Sequence, residues 1–184
     1  GGDAMAVDAV VGTGSLRTLG AGAQQAATGN HTHAGGGPNT LKKTADQIIN
    51  GTAFQNITDL TFAVAANQDY AFKFYIAFRS AFTTTGFRFA INGPAGAVVD
   101  FFMTYQTIAN SETAGVATWL QKHSVTFDAM TVLAASIAAG VDLVCMIEGR
   151  IKVGGTAGTL AARVASELAN NDLVVQKGSW GLWF

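Results

Sequence analysis

At 184 residues the chain has room for one substantial domain and a tail. Its net charge of −1, from 11 Lys and Arg against 12 Asp and Glu, offers no basic footprint for nucleic acid. No run reaches the ~18–20 apolar residues of a membrane-spanning helix, yet 49% of residues are hydrophobic and only 12% charged, about half the usual ~25%. Such a balance points to burial beyond the chain's own core, between subunits.

In chain order, the opening GGDAMAVDAVV lacks a basic n-region and carries Asp3 and Asp8, so it does not read as a signal peptide. Residues 1–44 are dominated by Gly, Ala, Thr and Asn and read as an extended stem or anchoring arm. Within it lies His31-Thr32-His33. In an extended chain residues i and i+2 point to the same side. One chain thus offers two imidazoles, and three chains around an axis offer six. That octahedral shell suits an iron-type divalent ion, one per trimer, better than four-coordinate zinc. The alternative is a pair of polar residues in a surface loop.

Residues 45–184 carry short aromatic and β-branched runs separated by turn clusters. Strands are predicted over 57–64 and 70–79. In the latter Tyr70, Phe72, Phe74, Ile76 and Phe78 share one face, while Lys73 and Arg79 share the other. Further strands are predicted over 87–91, 98–105, 116–120, 125–127, 131–135, 143–153, 159–166 and 173–184. The sum is an all-β domain, a two-sheet antiparallel sandwich of the jelly-roll kind, preceded by the stem. In 143–153 one face carries Leu143, Cys145, Ile147, Ile151 and Val153, and the other opens with Val144 and Met146. A sandwich strand buries one face, so the second apolar patch is expected to meet a neighbouring subunit. Trp180, Trp183 and Phe184 close the chain and are expected either in an interface or in the chain's own core.

Two stretches resemble known proteins. Ser15-Leu16-Arg17-Thr18-Leu19-Gly20, Ala23-Gln24-Gln25-Ala26-Ala27 and Gly29-Asn30-His31-Thr32-His33 are similar to a stem of tailed-bacteriophage fibre, spike and other virion surface proteins. Val64 through Phe74, then Thr84-Thr85-Gly86, Ala90-Ile91-Asn92-Gly93-Pro94, Ile147-Glu148-Gly149-Arg150-Ile151 and Gly158-Thr159-Leu160, resemble the β-sandwich that follows it. The resemblance spans residues 15–184. It implies a homotrimeric structural protein of the virion, a fibre, spike or capsid-decoration protein without enzymatic chemistry. Its stem would contact neighbouring virion proteins, and His31 and His33 would hold an axial metal ion. The alternative is a fibre module that binds a host receptor or surface glycan, through loops at 83–86, 92–96 and 109–115.

Enzymatic signals are weak. No Gly-x-Ser-x-Gly elbow occurs, and Gly12-Thr13-Gly14 is followed by no phosphate-loop Lys. His123 is expected in a solvated loop, Trp119 in the core and Cys145 as a buried thiol. Glu148 and Arg150 are expected to pair with Lys152 or Arg163 across a hairpin.

Overall fold

The computed structural model describes residues 38–83, 85–107, 118–129 and 139–184. All regular structure among them is β: β1 (Asn39–Lys42), β2 (Gln47–Ile49), β3 (Gln55–Val64), β4 (Asp69–Ser80), β5 (Phe87–Asn92), β6 (Val98–Thr107), β7 (Thr118–Ser124), β8 (Asp142–Lys152), β9 (Gly158–Ser166), β10 (Leu173–Val175) and β11 (Trp180–Trp183). They form two antiparallel sheets. The large one runs β1-β11-β4-β8-β6-β7, with β10 bridging β4 and β2, and the small one runs β3-β9-β5.

Period-two patterning decides which side chains meet between the sheets. From β4 come Phe72, Phe74, Ile76 and Phe78, and from β8 Leu143, Cys145, Ile147 and Ile151, all buried. The small sheet answers with Phe62, Phe87, Phe89, Ile91, Leu160 and Val164. Phe78 meets Phe87 and Phe89 at ring centroid distances of 4.0 and 5.3 Å. Phe62 stacks on Trp183 at 4.8 Å with planes 3° apart, and this contact joins the last strand to the small sheet. Each such ring buried contributes about 2 kcal/mol.

The pairings of the sandwich nest: β1 with β11, β2 with β10, β3 with β9 and β4 with β8, while β11 also joins β4 and β9 joins β5. A fifth nested pair, β5 with β6, does not form. Instead β6 leaves the small sheet and pairs with β8 and β7. The crossing turn is closed by Ala97 N–H donating to Pro94 O (3.2 Å), with Gly96 at φ +77°. Gly149 admits β6 to its new place. A Cβ there would meet the Asp100 carbonyl oxygen and come within 2.6 Å of Phe101 Cβ.

Several boundaries differ from the sequence-based expectation. Strand β1 lies inside the segment 1–44 assigned to the stem, so the sandwich begins before residue 45. Residues 1–37 lie outside the described residues, as do 131–135. The strand expected over 116–120 runs Thr118–Ser124, through residues expected to be a loop. Residues 125–127 form a turn instead of a strand, with Thr126 N–H donating to Ser124 Oγ (3.2 Å) and Asp128 at φ +51°. The closing strand is two strands, β10 and β11, because Gly178 takes φ +85° and Ser179 Oγ donates to Gln176 O (2.8 Å).

Lys43 fastens the β1–β2 connection. It is buried, and its Nζ donates to Gln47 Oε1 (3.1 Å) and Thr58 O (3.3 Å). Burial lowers its pKa, opposed by the charges of Asp59 and Asp46. Asp59 sits at φ +68°, where the β3–β9 register shifts, and accepts hydrogen bonds from Thr44 N–H (3.1 Å) and Oγ1 (2.8 Å).

The close approach at Gly149 gives a direct test. Gly149→Ala forces β6 away from β8 and is expected to destabilise the domain by about 1–3 kcal/mol, the range of overpacked interiors. Urea unfolding followed by circular dichroism measures it; an unchanged midpoint would contradict this packing.

Candidate functional site

The small sheet covers the inner face of the large sheet; among the described residues no third layer covers its outer face. Register places that face residue by residue. The central ladder between β4 and β8 has six outward rungs: Asp69 opposite Lys152, Ala71 opposite Arg150, Lys73 opposite Glu148, Tyr75 opposite Met146, Ala77 opposite Val144 and Arg79 opposite Asp142. The Tyr75 and Ala77 rungs are apolar, and the rungs on either side of them are ion pairs, at 3.1 Å for Lys73–Glu148 and 2.6 Å for Arg79–Asp142. Strand β11 extends the rungs sideways, setting Trp180 beside Tyr75 and Leu182 beside Lys73. On the other flank β6 sets Thr104 beside Met146 and Phe102 beside Glu148.

Tyr75 and Trp180 stack with ring centroids 5.7 Å apart and planes 8° apart. The patch of Val144 and Met146 anticipated on the second face of β8 is present, half-buried. The terminal aromatics divide: Trp183 faces the core, Trp180 faces outward, and Phe184 is exposed.

Charge at the β6–β7–β8 corner is also paired. His123 lies on β7, not in a loop, and its Nε2–H donates to Asp100 Oδ1 (2.7 Å), since a carboxylate only accepts. Its ring packs on Phe102 at 4.8 Å. Arg150 donates to Asp100 Oδ2 (3.4 Å). Glu148 and Arg150 thus pair with Lys73 and Asp100, not with Lys152 or Arg163 as expected. Trp119, expected in the core, is 48% exposed on edge strand β7, and Phe102 is 45% exposed.

Other groups are structural. Arg163 donates to Asp128 Oδ2 (2.6 Å) and Phe54 O (2.6 Å), and Arg163 and Arg88 flank the Phe54 ring. Together with Asn92, which donates to Asp128 (2.7 Å), they bind the 52–54 and 125–129 segments to the small sheet. Cys145 is fully buried and its thiol pKa is pushed well up by burial, which suppresses the reactive thiolate. Of the three loops proposed for a receptor, 83–86 is tied down: Thr85 is buried and accepts from Asn171, and Gly86 N–H donates to Glu167 (2.8 Å). The 92–96 turn packs on Phe127 and Gly158, and 109–115 lies outside the described residues.

The candidate metal ligands His31 and His33 also lie outside the described residues. Among the described residues no group of three or more His, Cys, Asp or Glu is arranged to hold a metal. The chain matches no protein-family model, and no curated protein matches it.

Hydrogen bonds hold three carboxylates below the usual range: Thr44 on Asp59, His123 on Asp100 and Arg79 on Asp142. A lowered carboxylate pKa stabilises the fold above the unfolded value of about 3.9, and the contribution is lost as pH falls through the folded value. The melting temperature is therefore expected to fall below about pH 4. Asp142→Asn should show a smaller acid drop than the parent; an equal or larger drop would contradict the assignment.

Proposed function

We propose that this chain is a structural component of a tailed-phage virion, a fibre, spike or decoration protein that acts as a homotrimer. The observation that carries the self-association is the uncovered apolar centre of the large sheet's outer face. In a protein with 12% charged residues, Trp180, Tyr75, Met146 and Val144 stand together on the side of the sheet opposite its core. The virion assignment comes from the likeness of residues 15–184 to phage stem and sandwich segments. The two-sheet antiparallel sandwich is compatible with that likeness. On this reading the sandwich joins the three copies and the stem reaches neighbouring virion proteins. His31 and His33 would hold one iron-type ion on the trimer axis.

The glycan-binding alternative draws less support. A sugar stacks on an open aromatic face; Tyr75 and Trp180 stack on each other. The exposed rings of Trp119 and Phe102 stand on strands outside the three proposed loops, and the described receptor loops are packed against their neighbours.

Quantitative mass spectrometry of purified particles should find the chain in a copy number divisible by three; its absence from particles would refute the virion reading. Native mass spectrometry with elemental analysis should give three chains and about one metal per trimer, the metal being lost in His31→Ala. A metal-free trimer would retire the histidine site alone. Inhibition of phage adsorption by the purified protein would favour the receptor module instead.

A further inference from the structure

We propose that copies of this chain meet through the outer face of the large sheet, with the Trp180–Tyr75–Met146 row at the centre of the contact. The inference rests on the homotrimeric reading and names the surface that produces it.

Three observations select a second copy of the chain as the occupant. The first is charge. Lys73–Glu148, Arg79–Asp142 and His123–Asp100–Arg150 are each closed within one chain. Exposed pairs of this kind contribute under ~1 kcal/mol to stability. Their consequence for the surface is larger: they leave most of the centre flanked by neutralised charge, Lys42 beside Trp180 being the exception. A partner selected by opposite charge has little to grip, while an identical face brings little net repulsion.

The second observation is arrangement. The apolar rungs sit between charged rungs along the strand direction, the layout of an interface with a hydrophobic centre and a polar rim. Tyr75 and Trp180 are pre-stacked, so little side-chain freedom is lost on contact.

The third is size. Six strands at about 4.8 Å spacing and eight residue steps at about 3.3 Å make a face of roughly 29 by 26 Å. One such face is roughly 750 Å², close to the ~800 Å² that each partner contributes to a standard specific interface.

The test is native mass spectrometry of the parent, Tyr75→Lys, Met146→Lys and the control Ala63→Lys, which lies on exposed β3 of the small sheet. The parent and Ala63→Lys should be trimers, and the two face variants folded monomers by circular dichroism, with self-association weakened at least tenfold. Trimeric face variants would overturn this surface while leaving the homotrimer intact. A parent that is monomeric at every concentration would overturn the homotrimeric reading itself. If the face variants do not fold, the unaltered protein decides. Amine cross-linking of mixed light and heavy-nitrogen chains should join Lys73 of one copy to Lys73 of another. Inter-chain links that avoid both Lys73 and Lys42, its neighbour across Trp180 on the same face, would overturn the proposal.

Discussion

The eleven-residue antiparallel ladder between β4 and β8, from Asp69 opposite Lys152 to Arg79 opposite Asp142, is the constraint from which the rest follows. Because side chains alternate, one register determines both faces of the large sheet. It sends Phe72, Phe74, Ile76 and Phe78 inward with Cys145 and Ile147, and it sends Tyr75, Met146, Ala77 and Val144 outward. A slip of one residue would bury Lys73 and Glu148 against the small sheet and expose four aromatic or aliphatic residues of the core. The hydrophobic cost of that exchange holds the register. The same register sets Lys73, Arg79 and Lys152 opposite carboxylates, while Arg150 stands opposite Ala71 and reaches Asp100 on β6, so core packing and much of the surface neutrality have one cause.

The neighbouring strands depend on that ladder. Strand β11 docks on the β4 side because Gly181 presents no side chain at the Phe74 ring; a Cβ there would lie 2.7 Å from it. On the β8 side, Gly149 does the same for β6. These two glycines widen the large sheet at the expense of the small one. The result, among the described residues, is a sandwich of unequal layers, eight strands against three. The broad sheet presents an extended outer face, and apolar residues occupy its centre. Fold asymmetry and the proposed assembly are thus linked through close backbone packing at two positions.

Much of this was legible in the sequence, for a physical reason. Residues 70–79 and 143–153 alternate strongly, and alternation of bulky apolar residues with Lys, Arg or Glu has only one sheet-compatible reading. The second apolar patch at Val144 and Met146 was visible for the same reason. Pairing partners were not, since ion pairs such as Lys73–Glu148 follow from register between strands about 75 residues apart. The break between β10 and β11 is weakly encoded, since its local signal is Gly178 with no Pro or Asn-Gly beside it. Trp119 looked like a core residue because its apolar neighbours suggested burial. Among the described residues β7 has one partner strand, and side chains on both its faces, Trp119 and Leu120, are exposed. The histidine pair was conspicuous in sequence and lies outside the described residues, so its chemistry rests on spacing and resemblance alone.

The central claim is that the outer face of the large sheet is covered by other copies of the same chain. Hydroxyl-radical footprinting of the unaltered protein across a dilution series tests it most directly. The account predicts that Met146, Tyr75 and Trp180 are oxidised slowly in concentrated protein and several-fold faster once the assembly dissociates, while Trp119 on the edge strand changes far less. Equal oxidation of Met146 and Tyr75 at all concentrations, in a sample that stays associated, would contradict it.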